Sequence, residues 1–264
     1  MLTDHSQRMS LARELHARPF PQVSAPTSAA YLAITSIGSV TKDRGLLAQL
    51  LKMMGHEDQT PEGSHYFGDF GAVKLKWERH TEFVTYTLFV ERENGAEMFV
   101  DNPHKLFPDR WLEKATGQIL TSCFLDVVGP FTLKDTERFV TQEFFKHFKG
   151  ESLAVNYVLG KEAAIASDFT IDTDGHIKLA VLAIGQVGEN RLGRIVQRLL
   201  EIETYKSLAM LTLPVARDIF AKAGDLNSDL TDAVHAIADG EGTTQERLDA
   251  LLSVSAQIEY LQSQ

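Results

Sequence analysis

The sequence predicts an α+β fold in which two strand-helix-three-strand units form a mainly antiparallel, sheet-rich domain, followed by an all-helical C-terminal segment. Two observations lead to this prediction. The same order of elements occurs twice, over about residues 28–92 and 118–185, and only helical patterns follow residue 187. We therefore divide the chain into an α+β domain of residues 1–187 and a helical segment of residues 188–264.

The first unit follows a predicted helix over residues 4–16, which Pro19 and Pro21 end because proline cannot continue a helix. Its strand, helix and three further strands are predicted at about residues 29–37, 41–54, 64–69, 72–79 and 83–91. Val73, Leu75 and Trp77 alternate with polar residues, so one face of their strand is expected to be covered.

A short helix at about residues 108–115 leads into the second unit. Its strand, helix and three further strands are predicted at about residues 119–128, 133–148, 151–159, 163–171 and 176–184. The turn DTDG joins the last two strands. The repeat is one of element order and not of residues, and it predicts two related halves.

The helical segment is predicted to begin with a long helix over residues 189–213. Pro214 opens or kinks a second helix that reaches about Ala223, and further helices follow the segments DLNSD and GEGTT. Ser228 and either Thr243 or Thr244 are suitable residues to cap these further helices.

The last helix has an apolar stripe that suits a seam between helices, because Leu251, Val254, Ile258 and Leu261 follow a three-four spacing. We therefore expect a coiled coil, with self-association or a protein partner through these C-terminal helices. Since the stripe still runs where the sequence reaches Gln264, we also expect a longer natural protein.

Composition and charge exclude several classes of protein. The 264 residues are 44% hydrophobic and 23% charged, as in ordinary globular domains. A formal net charge of -10 argues against nucleic-acid binding, which needs a basic surface. The single cysteine, Cys123, excludes an internal disulfide, and neither a signal peptide nor a membrane-spanning stretch is recognisable. We expect a soluble, cytoplasmic chain.

The most informative segment is GENRLGRIVQRLLEIETY, which spans residues 188–205. One helical stripe carries polar residues at steps of three and four, namely Arg191, Arg194, Arg198, Glu201 and Tyr205. The stripe borders a predicted apolar arc of Leu192, Ile195, Val196, Leu199 and Ile202. A small carboxylate or phosphate could dock beside the start of this helix, where the helix dipole and the arginines both favour an anion.

Glu203 falls in the middle of this apolar arc, where an ionised carboxylate needs a cationic partner. Arg18 and Arg79 are the candidates, and we expect at least one of them to pair with Glu201 or Glu203. Two interpretations stay open. The residues form either an ion-pair network that docks the helix onto the sheet or a functional pocket.

A nucleotide hydrolase is not supported by the start of this segment. Gly188 and Gly193 have the spacing of a phosphate loop. However, Arg194 and Ile195 stand where that loop requires Lys and Ser or Thr. No side chain is then placed for magnesium or for the terminal phosphates.

The nine histidines give little indication of a metal site or of acid-base catalysis. They lack metal-binding spacings, so we expect neither a metal nor a cofactor. The catalytic set is unknown. Glu78 and His80 share a face of their predicted strand and could serve as base and orienter, and His16 is a further candidate base. The alternative, which we favour, is that Glu78 and His80 belong to a polar hairpin tip that faces water.

Three segments of the chain resemble a bacterial family of uncharacterised membrane-anchored proteins, domain of unknown function 3422. They are ELHARPFP (Glu14 to Pro21), KLKWERHTEF (Lys74 to Phe83) and RLGRIVQRLLEIETY (Arg191 to Tyr205). The resemblance implies a longer protein with further helices and with membrane segments near its C-terminus. It implies a location at the cytoplasmic face of the inner membrane. It does not indicate any particular activity.

We therefore expect a cytoplasmic module that senses a small anion or serves as an assembly platform. The alternative is an enzyme that acts on a phosphorylated or carboxylated small substrate. It would bind that substrate through Arg191, Arg194 and Arg198 and would use His80 or His16 as base. Contact with a membrane is expected only through segments absent from this chain.

Overall fold

A computed structural model describes residues 3–6, 8–9, 20–36, 39–57, 61–149 and 152–262. The strands are β1 (Thr27–Thr35), β2 (His65–Asp69), β3 (Val73–Arg79), β4 (Phe83–Glu91), β5 (Ile119–Phe131), β6 (Ala154–Val158), β7 (Ala163–Ser167) and β8 (Ile177–Ile184). The α-helices are α1 (Val40–Met53), α2 (Asp109–Leu112), α3 (Leu133–Gln142), α4 (Glu189–Met210), α5 (Thr212–Ala238) and α6 (Thr244–Gln262). Short 3-10 helices lie at Pro103–Leu106, Phe144–Lys146 and Leu159–Lys161.

These strands form one sheet in the order β2-β3-β4-β1-β5-β8-β7-β6. Neighbouring strands are antiparallel except β5 and β8, which are parallel. The structure confirms the predicted α+β fold, with a mainly antiparallel sheet followed by a helical C-terminal segment. The predicted helix at residues 4–16 falls mostly outside the described residues.

The two halves of the sheet repeat the order of elements but not the direction of every strand. In each half the last strand returns to pair with the first, β4 with β1 and β8 with β5. The first of these pairs is antiparallel and the second is parallel. β1 and β5 pair with each other at the centre, where Thr27 lies opposite Val127, so the halves share one continuous sheet.

One face of the sheet packs against the helices that follow β1 and β5. In the first half, Leu47 and Leu50 of α1 share a core with Trp77 of β3. In the second half, Phe144 packs with Leu182 of β8, just after α3 ends. The alternation of side chains along each strand places a second set of residues on the other face.

The other face is covered by α4. Leu192, Val196 and Leu200 of this helix share a core with Tyr31 of β1 and Leu125 of β5. The central strands of the sheet are therefore buried on both sides, and polar residues that they place under α4 are withdrawn from water as well.

The buried stripe of α4 differs at one end from the predicted apolar arc. Ile202, which was predicted to lie in the arc, is 64% exposed, so that part of the prediction is wrong. Leu200, Glu203 and Thr204 are buried instead, because they lie one or two turns from Val196 on the same side of the helix. Glu203 therefore lies on the buried side of the helix.

By its contacts the chain divides into two compact units, Met1–Tyr205 and Lys206–Gln264. In the second unit α5 runs without a break, so the predicted helix end near Ala223 and the cap at Ser228 are wrong. A glycine in a helix interior costs about 1 kcal/mol, so a local pattern that contains one favours a helix end. In α5 the burial of Leu226 and Ala233 outweighs this preference, because packing supplies most helix stability in proteins.

The start of α6 is fixed by a capping box. Thr243 Oγ1 accepts a hydrogen bond from Glu246 N (3.3 Å), and Glu246 Oε2 accepts one from Thr243 N (2.7 Å). α5 and α6 pack against each other, and Val254 is buried whereas Ile258 is exposed. Among the described helices, none combines the length and the hydropathy that crossing a bilayer requires.

Candidate functional site

A chain of polar side chains connects β3 with α4. Lys76 Nζ lies 3.0 Å from Glu78 Oε2 and donates a hydrogen bond to Gln197 Oε1 over 3.0 Å. Gln197 Nε2 donates in turn to Glu201 Oε1 over 2.8 Å. The side chains of Lys76 and Glu78 are only 9% and 12% exposed. Their charges must therefore be compensated by each other and by nearby polar atoms.

The period-two alternation of β3 produces this arrangement. Leu75 and Trp77 point toward α1 and its core. Lys74, Lys76 and Glu78 therefore point to the face that α4 covers. The alternation in the sequence indicates only one covered face of this strand, so the burial of Lys76 is not predicted.

A cavity of about 360 Å³ lies beside the Lys76-Glu78 pair. β2, β3 and the segment of residues 20–22 line it. The strand register places three pairs along its floor, His65 with Glu78, Phe67 with Lys76 and Asp69 with Lys74. Acidic, basic and aromatic side chains thus occur together in one small volume.

Lys74 lies at the edge of this cavity and pairs with Glu91, which does not line the cavity. Lys74 Nζ lies 2.7 Å from Glu91 Oε1, and this hydrogen bond raises the pKa of Lys74. The ammonium of Lys74 is thus already paired, whereas the more deeply buried Lys76 faces the cavity with its partner Glu78.

The carboxylate of Glu78 is incompletely bonded. Its Oε1 atom is buried and has no hydrogen-bond partner within the part of the chain that the structure describes. A buried acceptor without a donor costs about 1–3 kcal/mol, and such atoms are rare in native proteins. The ammonium of Lys76 lies beside this carboxylate and donates to Gln197. Both side chains line the cavity, so an ammonium and a carboxylate with an unsatisfied oxygen border it.

The three predicted anion-binding arginines do not converge. Arg191 pairs with Glu162, and both side chains are more than one third exposed. The guanidinium of Arg194 lies over the Phe20 ring, 4.9 Å from its centroid. Arg198 pairs with Glu201, since its Nη1 lies 3.4 Å from Glu201 Oε2. Among the described residues, each of these arginines thus has a different partner.

Arg79 lies on the face of the sheet that packs against α1. Its Nε donates a hydrogen bond to Asp43 Oδ2 over 2.8 Å. The structure therefore does not bring Arg79 together with Glu201 or Glu203, because α4 lies on the other face. Arg18, the other predicted partner, lies outside the described residues.

His80 and Tyr205 meet at the end of β3. The His80 ring is buried and stacks on Phe83 with a centroid distance of 4.1 Å. Tyr205 Oη lies 3.5 Å from His80 Nδ1. Two predicted site residues are thus neighbours, in a packed aromatic cluster that leaves His80 little access to a substrate. His16 lies outside the described residues.

Sequence reasoning missed a second polar cluster, around Ser122 of β5. Ser122 Oγ lies 3.0 Å from His104 Nε2 and 2.9 Å from His176 Nδ1, and the two imidazole rings stack 3.6 Å apart. Burial lowers the pKa of His104 to about 4 and also lowers the pKa of His176. The three residues come from separate segments, so no local spacing indicates their contact.

The structure offers no obvious metal centre. Among the residues that it describes, no group of three or more histidine, cysteine, aspartate or glutamate side chains is placed to hold a metal ion. Cys123, on β5, is buried. The cavity beside Lys76 and Glu78 is the candidate site for a small molecule because a nearly buried ion pair lines it.

Comparison with known proteins gives one finding. A family model described as Protein of unknown function (DUF3422) matches residues 3–264. The chain belongs to this family. For this DUF3422 member the resemblance found in three sequence segments is confirmed at the level of the family. No curated protein and no solved structure matches the chain.

Proposed function

We propose that this DUF3422 chain is a non-enzymatic sensing module that binds a small zwitterionic molecule of the amino-acid type beside Lys76 and Glu78. The observation that carries the proposal is Glu78 Oε1, a buried carboxylate oxygen without a donor among the described residues, in a side chain that lines a cavity. Because charge-assisted hydrogen bonds are the strong ones, an ammonium group is the best complement to this oxygen.

The rest of the cavity complements the other parts of such a molecule. The ammonium of Lys76 suits the ligand's carboxylate. Phe20 and Phe67 offer apolar surface for a side chain. A volume of about 360 Å³ is near the lower end of the range of ligand pockets, about 300–1,000 Å³. The ligand is therefore small, and its anionic end meets Lys76 and not the arginine stripe.

The same observations favour sensing over catalysis. A general base must be within hydrogen-bond reach of its substrate. His80, one of the two candidate bases of the enzyme alternative, is buried against Phe83. The other candidate, His16, lies outside the described residues. The arginines of that alternative are engaged by Glu162, Phe20 and Glu201.

The proposal includes the cellular location of this module. Family resemblance supports a cytoplasmic domain of a bacterial protein that segments outside this sequence anchor in the inner membrane. Since the described helices include none that could cross a bilayer, the anchor would belong to those other segments.

A thermal-shift screen of the free amino acids, with inorganic phosphate and acetate as separate arms, tests the proposal. At a hundredfold excess over Kd a ligand stabilises the protein by about 2.7 kcal/mol. We expect at least one amino acid to stabilise the wild type, the Glu78→Gln variant to lose the response, and the matched exposed-carboxylate variant Glu162→Gln to keep it. An equal response to phosphate or acetate, or no response to any amino acid, would overturn the proposal.

A further inference from the structure

The second unit carries an apolar stripe on α5 that lies apart from its seam with α6. Leu226 and Ala233 are the buried apolar residues of α5. The second stripe consists of Phe220, Ala223, Asn227, Leu230, Val234 and Ile237, at steps of three and four residues. Phe220 is 77% exposed and Val234 is 52% exposed. A soluble helix rarely leaves such a stripe uncovered over three turns or more.

The spacing of this stripe is that of a coiled-coil seam. In a heptad written abcdefg, Phe220, Asn227 and Val234 occupy successive a positions, and Ala223, Leu230 and Ile237 occupy d positions. Val234 at a with Leu230 at d is the combination that favours two parallel strands, and a single asparagine at a fixes both the register and the number of strands.

The charges of α5 also suit pairing of the stripe with itself. Asp218, Asp225 and Asp232 occupy f positions, which are farthest from the a and d stripe, and Asp229 occupies a c position. The chain has a formal net charge of -10, yet two copies can meet along this stripe without opposing carboxylates.

We infer that α5 pairs in parallel with α5 of a second copy of this chain, with Asn227 opposite its counterpart. A second copy is the partner that the residues favour, because it places another asparagine at the same level, where the two Asn227 amides can hydrogen-bond within the apolar seam. This association surface lies within the second unit, and it does not depend on the ligand site of the sheet.

Sedimentation equilibrium of the full chain tests the pairing. We expect a dimer for the wild type, a monomer for Val234→Asp, and a dimer for the control Ser228→Asp, which adds the same charge at an exposed b position of the same helix. Far-UV circular dichroism reports whether the helices remain folded in each variant. A monomeric wild type, or a folded Val234→Asp variant that stays dimeric, would overturn the inference.

Disulfide formation tests the parallel direction. The Val234→Cys variant should form a covalent dimer under mild oxidation, since equivalent a positions are adjacent in a parallel pair. The Asp232→Cys variant, at an f position, should stay unlinked, and the native Cys123 is buried. A dimer in which Val234→Cys does not cross-link would contradict the parallel pairing, and so would a wild-type complex with another protein in place of a dimer.

Discussion

Lys76 and Glu78 form an ion pair two residues apart on one face of β3, with Lys76 Nζ 3.0 Å from Glu78 Oε2. The pair is nearly buried, and its second carboxylate oxygen, Glu78 Oε1, has no partner among the described residues. Such a pair contributes little to stability, because desolvation offsets the attraction of the charges. Its presence in the sheet is more readily explained by binding than by folding.

Removing one member of this pair should destabilise the protein, and removing both should not. The Lys76→Met variant leaves the Glu78 carboxylate buried and unpaired, so its free energy of unfolding should fall by about 3–5 kcal/mol. The double variant Lys76→Met with Glu78→Leu should recover most of that loss. Urea unfolding at pH 7 measures both. A double variant that is as unstable as the single one would contradict a purely binding role for the pair.

Loss of the Asp126 carboxylate should destabilise the protein. It is fully buried on β5, where its carboxylate accepts hydrogen bonds from Ser28 Oγ, from Arg92 Nη1 (2.9 Å) and from Phe99 N (2.7 Å). The Asp126→Ala variant leaves Arg92 buried without its partner, and the free energy of unfolding should fall by about 3–5 kcal/mol. Chemical denaturation of the wild type and the variant measures the difference.

An exposed ion pair provides the control for Asp126. Glu162 and Arg191 pair at the surface, where solvent screens their attraction. The Glu162→Ala variant should therefore change the free energy of unfolding by less than about 1 kcal/mol. If Glu162→Ala lowered the free energy of unfolding as much as Asp126→Ala does, burial would not be the factor that decides the effect.

Gly193 should not tolerate alanine. A Cβ atom at Gly193 would lie 1.8 Å from the carbonyl oxygen of Pro21, so α4 and the segment of residues 20–22 would have to separate. We expect Gly193→Ala to lower the free energy of unfolding by about 1–3 kcal/mol. A Cβ atom at Gly45 in α1 would have no neighbour within 4 Å, and Gly45→Ala should raise the free energy of unfolding by about 0.5–1 kcal/mol. Thermal unfolding of both variants measures these changes. Changes of the same sign in the two variants would contradict the prediction.

His104 should make the protein lose stability in mild acid. Its pKa falls from an ordinary 6.5 to about 4 on folding because the ring is buried. Between these values the unfolded chain binds the proton and the folded chain does not, so stability is present above pH 6.5 and is lost as the pH falls toward 4. The loss is about 3 kcal/mol at most.

Urea unfolding as a function of pH measures this loss. The His104→Gln variant lacks the titrating ring, so its free energy of unfolding should fall less steeply than that of the wild type between pH 6.5 and 4. Parallel profiles for the two proteins would show that His104 does not contribute.

The sequence was sufficient for the fold class and for the side chains that point toward α1. Alternation of Val73, Leu75 and Trp77 predicts the covered face of β3, and Arg79 follows the same alternation. The partner of Arg79 could not be predicted, because the nearest carboxylate, Asp43, comes from a helix whose position depends on the sheet order.

The candidate site was only partly predictable. Arg198 and Glu201 stand out in the sequence as polar residues beside an apolar arc, and Glu78 stands out through its position beside His80. Lys76 does not stand out, because a lysine in an alternating strand normally faces water. It is buried because α4, more than one hundred residues later, covers the second face of the sheet. Local patterns do not contain that information.

The most direct test is a crystal structure of the chain determined in the presence of a mixture of the free amino acids. We predict density for one amino acid in the cavity between β2, β3 and residues 20–22, with its ammonium nitrogen about 3 Å from Glu78 Oε1. Density for a water molecule alone at Glu78 Oε1, with no amino acid in the cavity, would contradict the proposed sensing function.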